Sequence, residues 1–106
     1  MKVLTTLKNG RLTLFFKGEL DHHGAKTAMR IIESLLDEHL PRDCAMDLSE
    51  LTFMDSSGIA LILRVHKRLN ETGGRAWLEN PHPQSLRVID ASGIDRIIHI
   101  RQAVKE

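Results

Sequence analysis

The sequence predicts an α/β domain with a mixed, mostly parallel β-sheet, an N-terminal hairpin and flanking α-helices. An Asn-Gly pair between two segments rich in strand-forming residues indicates the hairpin. After the hairpin, segments with helical periodicity alternate with short apolar segments, which is typical of βαβ crossovers and parallel strands. The length of 106 residues is common for one domain, so a single domain is expected over 1–106.

The first two strands are expected at 2–7 and 11–17, which are rich in Val, Leu, Thr and Phe. Between them, Asn9 and Gly10 supply the positive φ angles that a tight hairpin turn requires. Gly18 is expected to end the second strand. The hairpin makes the first strand an antiparallel edge of the sheet.

Three helices are expected after the hairpin. The first covers about 24–40, with Asp21 ahead of it as a possible N-cap. The second covers about 57–71, and its segment 59–63 is apolar on nearly all sides, which predicts deep burial. The third is short and covers about 81–90.

Three further strands are expected between and after these helices. Residues 44–48 form a short, mostly apolar segment that predicts a buried strand, and 75–79 predict the next one. Residues 97–100 predict the last strand. Six residues follow it, which is enough for little more than one turn of helix.

Charge and composition argue against a nucleic-acid binding protein. Fifteen Lys and Arg against fourteen Asp and Glu leave a net charge of +1, whereas nucleic-acid binding proteins carry a clustered basic surface. Aromatic residues make up only 4% of the chain, so platforms for base stacking are scarce. We therefore expect no direct nucleic-acid partner.

The chain lacks the features of secreted and membrane proteins. The single cysteine, Cys44, excludes an internal disulfide, which fits a reducing compartment. Lys2 and Lys8 interrupt the N-terminal segment, so it does not have the apolar run of a signal peptide. The longest purely apolar run, 59–63, is far shorter than the ~20 residues of a membrane helix. We expect a cytoplasmic chain without membrane insertion.

The most informative candidate site is a strand end that turns into a helix start, at Asp55-Ser56-Ser57-Gly58. In parallel sheets, ligands gather at the carboxyl ends of strands, and a helix start offers unpaired backbone N–H groups. A phosphate on Ser56 is therefore compatible with the fold, and its charge beside Asp55 changes the surface that a partner meets. Ordinary helix capping by the same residue types is the alternative.

A second segment also joins a strand end to a helix start. It consists of Gly18, Glu19, Leu20, Asp21, His22 and His23. It lies beside the first segment if the two strands are neighbours. Adjacent histidines lack the i, i+4 spacing of a helical metal site, so no metal is expected. General acid–base catalysis by Glu19 and Asp21 is the alternative to a binding role.

The pattern does not favour an enzyme. The nucleophile elbow of serine hydrolases has Gly two residues before and two residues after the serine; Gly58 fits, but Met54 occupies the other position. The sequence contains neither common Gly-rich phosphate loop. Cys44 is expected as a small core residue rather than a reactive thiol. We therefore expect no catalytic residue and no cofactor.

Taken together, Gly18-Glu19-Leu20-Asp21-His22-His23 and Asp55-Ser56-Ser57-Gly58 resemble the anti-sigma factor antagonists of the STAS domain family. The segment Ala91-Ser92-Gly93-Ile94-Asp95-Arg96-Ile97-Ile98 is similar to the family's Ser/Thr-Gly-Leu segment before the last strand. The resemblance spans residues 1–100 in order and implies a STAS fold. Family members usually continue with a final helix, whereas six residues follow Ile100 here.

The resemblance implies a regulator of transcription in sporulation or stress response that is not an enzyme. Its unphosphorylated form binds an anti-sigma factor that is also a serine kinase, and binding frees the sigma factor. The kinase uses ATP to phosphorylate Ser56, the modified protein no longer binds, and a PP2C-type phosphatase resets it. The resemblance also implies a partner-binding surface, with Asp21 as its acidic contact. Its residues are Gly18, Glu19, Asp21, His22, His23, Asp55, Ser56, Ser57 and Gly58.

Two other functions stay open. One is a STAS module that never meets a kinase, such as a scaffold subunit of a lipid-transport ATPase complex. The other is a serine hydrolase that uses Ser56. A neighbouring gene for a small histidine-kinase-like ATPase, together with one for a sigma factor, distinguishes the antagonist from the scaffold.

Overall fold

The computed structural model describes residues 1–102 as one five-stranded sheet with three α-helices and a short 3₁₀ helix. The elements in chain order are β1 Lys2–Lys8, β2 Arg11–Leu20, α1 His22–His39, β3 Asp43–Met54, α2 Ser56–Glu71, β4 Arg75–Glu79, α3 Pro83–Ser92, the 3₁₀ helix Ile94–Arg96 and β5 Ile100–Arg101. The strand order is β1-β2-β3-β4-β5, with β1 antiparallel to β2 and the other pairs parallel. The predicted α/β fold with an antiparallel edge strand is confirmed.

The three helices pack on one face of the sheet. Each crossover advances by one strand in the same direction, and right-handed crossovers then place α1, α2 and α3 on the same side. Leu61 and Ile62 of α2 are buried in the core beneath them, but Ala60 is exposed and Leu63 is 39% exposed, so the deep burial predicted for all of 59–63 is wrong at these two residues. Within residues 1–102, no helix combines the length and hydropathy that crossing a bilayer requires.

Strand β2 continues past Gly18, so the predicted end at this residue is wrong. Gly18 has a φ of +106°, which residues with a side chain rarely adopt, and the register of pairing with β3 shifts directly after it. The shift leaves one extra residue, Thr52, on β3, so β2 continues without interruption. As a result, Leu20 still pairs with Met54 at the end of β3.

Strand β3 has 12 residues and extends well beyond the predicted 44–48. Ser49 and Glu50 are polar and exposed, so the segment after 48 resembles a loop in the sequence, yet it pairs with the end of β2. Strand β4 ends at Glu79, opposite Asp47. The ends of β2 and β3 therefore extend together past the end of β4.

The last strand is shorter than the predicted 97–100. The 3₁₀ helix Ile94–Arg96 precedes it, and neither Ile97 nor Ile98 belongs to the strand. Ile97 is 59% exposed, whereas Ile98 is buried. Among the described residues after α3, the strand that pairs with β4 consists of Ile100 and Arg101. Of the six residues after Ile100, Arg101 belongs to β5, and 103–106 lie outside the described residues.

Candidate functional site

Two strand-to-helix turns lie side by side at the carboxyl ends of β2 and β3. Leu20 and Met54, the last residues of these strands, are partners in the parallel ladder. The backbone N–H of Asp55 donates to the carbonyl oxygen of Leu20 at 3.4 Å. The expected proximity of the two segments is confirmed, and the two turns form one continuous surface, which we call the rim.

The first turn is held by Asp21, the predicted N-cap of α1. Its Oδ1 accepts the backbone N–H of Gly24 at 2.8 Å, and its carbonyl oxygen accepts that of Ala25 at 2.8 Å. These bonds satisfy donors that would otherwise be unpaired at the helix start. A Cβ at Gly24 would overlap with the carbonyl oxygen of Glu19, so the turn requires glycine at this position.

The second turn is held by Asp55, the N-cap of α2. Its Oδ1 accepts the backbone N–H of Ser57 at 2.8 Å, and its carbonyl oxygen accepts that of Gly58 at 3.0 Å. A Cβ at Gly58 would lie 2.5 Å from Cγ of the buried Met54. Capping is therefore the task of Asp55, and neither the Ser56 nor the Ser57 hydroxyl takes part in it.

The two serines line different cavities. Ser56 is the first residue of α2, is exposed, and lines a cavity of about 510 Å³ between α2 and α3. Ser57 is half-buried and lines a cavity of about 300 Å³ between α1 and α2, together with His22. Of the two side chains, that of Ser56 is the more accessible to a partner.

The other predicted site residues surround these turns. Glu19 is exposed near the end of β2, and His22 and His23 are the exposed first two residues of α1. Gly18 lies in β2 directly before the register shift with β3, and a Cβ there would be 3.6 Å from the Cα of Met1. With Asp21 and Asp55 half-buried and Glu19 exposed, the rim carries three carboxylates before any modification.

Gln84 is a site residue that the sequence does not reveal. From α3, its side-chain Oε1 accepts the backbone N–H of Met54 at 2.9 Å, and its Nε2 donates to the carbonyl oxygen of Met54 at 2.8 Å. Because β4 ends before this part of β3, the side chain of Gln84 takes the place of a neighbouring strand. The two residues are 30 positions apart, so no local pattern signals the contact.

Within residues 1–102, no group of three or more His, Cys, Asp and Glu side chains is arranged to hold a metal ion. A serine–histidine hydrogen bond joins Ser85 to His82 at 3.2 Å, but Ser85 is fully buried and lies on α3. Cys44 is also buried, and burial raises the pKa of its thiol to about 12, so no thiolate is available near neutral pH. Neither Ser85 nor Cys44 belongs to the two turns that form the rim.

Sequence comparison relates the chain to a known family. The family model of the STAS domain matches residues 2–106. The chain is 32% identical over 91 residues to the anti-sigma F factor antagonist of Paenibacillus polymyxa, an alignment that covers 86% of this chain and 78% of that protein. It is 35% identical over 77 residues to the anti-sigma F factor antagonist of Lysinibacillus sphaericus, covering 73% and 66%.

The solved structures of SpoIIAA, an anti-sigma factor antagonist, are similar to this one. The unphosphorylated form gives a TM-score of 0.84 at 26% identity, covering 98% of this chain and 90% of that chain. The phosphorylated form, from Bacillus, gives a TM-score of 0.76 at 26% identity, covering 98% and 93%. Both forms of SpoIIAA therefore share the fold described above.

Proposed function

Because this chain belongs to the STAS domain family, we propose that it acts as an anti-sigma factor antagonist. Its unphosphorylated form binds an anti-sigma factor that is also a serine kinase, and binding releases the sigma factor. Phosphorylation of Ser56 ends the interaction, and a PP2C-type phosphatase restores it. The observation that carries this proposal is the exposed position of Ser56 on the rim that the Asp21 and Asp55 turns share.

The proposed partner surface is the rim. Its residues are Gly18, Glu19, Asp21, His22, His23, Asp55, Ser56, Ser57 and Gly58. Gly58 is buried and contributes by holding the turn, whereas the exposed side chains of Glu19, His22 and Ser56 are available for contact. Because capping bonds fix both turns, little conformational entropy is lost when a partner binds.

The kinase step places a phosphoryl group on Ser56. The Oγ attacks the γ-phosphorus of ATP, a new oxygen–phosphorus bond forms, and the bond to the β-phosphate oxygen breaks to release ADP. The hydroxyl proton passes to a base of the kinase or to water. In this reaction the chain supplies only the acceptor hydroxyl, which agrees with a regulatory rather than a catalytic role.

Phosphorylation changes the charge of the rim and leaves the fold in place. A phosphate adds about −1.5 to −2 charges near the carboxylates of Asp55 and Asp21. The start of α2 tolerates this charge because the helix dipole is positive there. A partner that fits the unmodified rim then meets added negative charge and bulk. Each loss of about 1.4 kcal/mol of binding free energy weakens its affinity tenfold.

The proposal is tested by incubating the protein with the candidate anti-sigma factor kinase and ATP, followed by mapping of phosphate by mass spectrometry. We expect phosphate on Ser56, none on Ser56→Ala, and a normal rate for Ser57→Ala. Ser56→Ala should still bind the kinase and leave the sigma factor free. Transfer to Ser57 in Ser56→Ala at the wild-type rate would assign the switch to the other serine. The absence of both binding and phosphorylation would favour a kinase-independent STAS module.

A further inference from the structure

The cavity of about 510 Å³ between α2 and α3 has one charged residue in its lining. On the α2 side it is bounded by Ser56 and Ile59. The α3 side presents residues at helical spacing, which place one face of that helix toward the cavity. These residues are Gln84, Arg87, Val88, Ala91 and Ser92. Arg87 is thus the only cation among the described residues that line the same cavity as Ser56.

Arg87 has an exposed side chain and forms no ion pair within residues 1–102. Arg68 of α2 differs in this respect, since it pairs with Glu33 and Asp37 of α1. The lining of the cavity contains no carboxylate that neutralises Arg87. Arg87 also lines a neighbouring cavity that contains Asp90, but the two form no ion pair, so the guanidinium is available for an anion that arises beside Ser56.

Gln84 fixes α3 relative to the start of α2. Its two hydrogen bonds, of 2.9 and 2.8 Å, hold the backbone of Met54, which is two residues before Ser56. Arg87 follows Gln84 by three residues, less than one helical turn. The positions of Ser56 and Arg87 on either side of the cavity are therefore set by one common anchor.

We propose that Arg87 binds the phosphate of phosphorylated Ser56 and thereby bridges α2 and α3 across the mouth of the cavity. This rests on the proposed function, which makes Ser56 the phosphorylated residue. A guanidinium matches the geometry of a phosphate and donates two parallel hydrogen bonds to it. The bridge covers the apolar lining at Ile59 and Val88. Phosphorylation therefore closes the cavity between α2 and α3 and also adds charge to the rim.

The groove between α1 and α2 supplies a matched control. Lys26 and Arg64 line that groove together with Ser57. Arg64 is already paired with Glu33, with 3.4 Å between the guanidinium Nη2 and the carboxylate Oε1. If Arg87 is the phosphate partner, removal of the Arg64 charge leaves the environment of the Ser56 phosphate unchanged.

The test uses the full chain with phosphoserine genetically encoded at position 56, so that it does not depend on any kinase. The second pKa of the phosphate, ordinarily about 6, is measured by ³¹P NMR titration. We expect this pKa to be lower in the wild-type background than in Arg87→Gln by about half a unit or more, because the guanidinium stabilises the dianion. Arg64→Gln should retain the wild-type value.

Two further measurements complete the test. Phosphoserine at position 56 should raise the melting temperature, and this rise should be smaller in Arg87→Gln. Arg87→Lys keeps the charge and should keep most of the pKa shift. Equal phosphate pKa values in wild type and Arg87→Gln overturn the proposal, as does a shift that is lost only in Arg64→Gln. If the kinase leaves Ser56 unmodified while the encoded phosphoserine shows the Arg87-dependent shift, the proposed function fails and the pairing stands.

Discussion

Asp21 and Asp55 perform the same task in two adjacent turns. Each is an extended residue that caps a helix, with φ values of −92° and −124°, and each carboxylate accepts a backbone N–H at 2.8 Å. Each is followed three positions later by a buried glycine, Gly24 or Gly58, where a Cβ would collide with the preceding strand. The rim is therefore built from two similar turns that differ in the capping bond: the Asp21 carboxylate accepts from the third residue after it, and the Asp55 carboxylate accepts from the second.

The positions between the aspartate and the glycine are where the two turns differ. His22 and His23 occupy them at the start of α1, and Ser56 and Ser57 occupy them at the start of α2. Since the flanking residues fix the backbone, these four side chains are not needed to shape the turns. The residues that maintain the rim are thus distinct from those that it presents to a partner.

Replacing Asp21 with Asn separates the charge of this residue from its capping role. Asn caps a helix about as well as Asp, so the melting temperature should change little, whereas partner affinity should fall because an acidic contact is lost. Asp21→Ala removes both the charge and the cap, so it should lower the affinity and cost about 1 kcal/mol of stability. Melting temperature and affinity are measured on both variants. Unchanged affinity in Asp21→Asn would leave this residue with capping as its only role.

Gly24→Ala should destabilise the protein more than Gly58→Ala. At Gly24 the added methyl group meets the backbone carbonyl of Glu19, which moves only if β2 is disturbed. At Gly58 it meets the side chain of Met54, which has rotational freedom. Overpacking typically costs about 1–3 kcal/mol, and Gly24→Ala should lie at the upper end. Urea denaturation of both variants measures the free energy of unfolding, with Ser34→Ala at an exposed position as control. Equal losses of stability would show that the Met54 side chain moves no more easily than the β2 backbone.

The parts of the fold that depend on neighbouring residues can be predicted from the sequence. Asn9 and Gly10 have φ values of +53° and +79°, as the hairpin turn requires, and Asp21 caps the first helix. The alternation of helices and strands indicates a parallel sheet, and parallel pairing of β2 with β3 brings the two turns together. The position of Ser56 at an exposed helix start follows from the same local pattern.

The remaining features depend on contacts between distant segments. Gly18 stays within β2 because a bulge preserves the pairing with β3, and the polar residues Ser49 and Glu50 belong to β3 for the same reason. Strand formation there is decided by the neighbouring strand rather than by the residues themselves. The bonds between Gln84 and Met54 require α3 to pack beside β3, so no spacing in the sequence indicates them.

Gln84→Ala should loosen the backbone at the start of α2. The variant leaves the partly buried N–H and C=O of Met54 without their partner, which should cost about 1–2 kcal/mol. Gln84→Glu keeps the acceptor for the N–H but places a carboxylate oxygen against the Met54 carbonyl, so it should also be destabilised. Hydrogen exchange at the Met54 amide is measured in all three proteins. Wild-type protection in Gln84→Ala would contradict this anchoring role.

Cys44 should make the stability depend on alkaline pH. Burial raises the pKa of its thiol from 9.0 to about 12, so the folded protein keeps a proton that the unfolded chain loses. Deprotonation then favours the unfolded state, and this contribution is fully present below about pH 9 and is lost as the pH rises toward 12. Urea midpoints across this range are compared with those of Cys44→Ala. Cys44→Ala should be less stable near neutral pH, but its urea midpoint should fall less as the pH rises from 9 to 12. If the midpoints of both proteins fall in parallel, the pH dependence belongs to other groups.

Ser56→Asp should fold normally and bind the kinase poorly. A carboxylate at the first position of α2 interacts favourably with the helix dipole, by about 0.3–1 kcal/mol, so the melting temperature should be unchanged or slightly raised. The same charge lies on the exposed rim beside Asp55, where it imitates part of a phosphate. Ser57→Asp is the matched control, because its charge lies in the other groove near Lys26 and Arg64, and its loss of affinity should be smaller. Equal losses of affinity in titration calorimetry would show that the partner responds to any negative charge at this helix start, rather than to charge at Ser56.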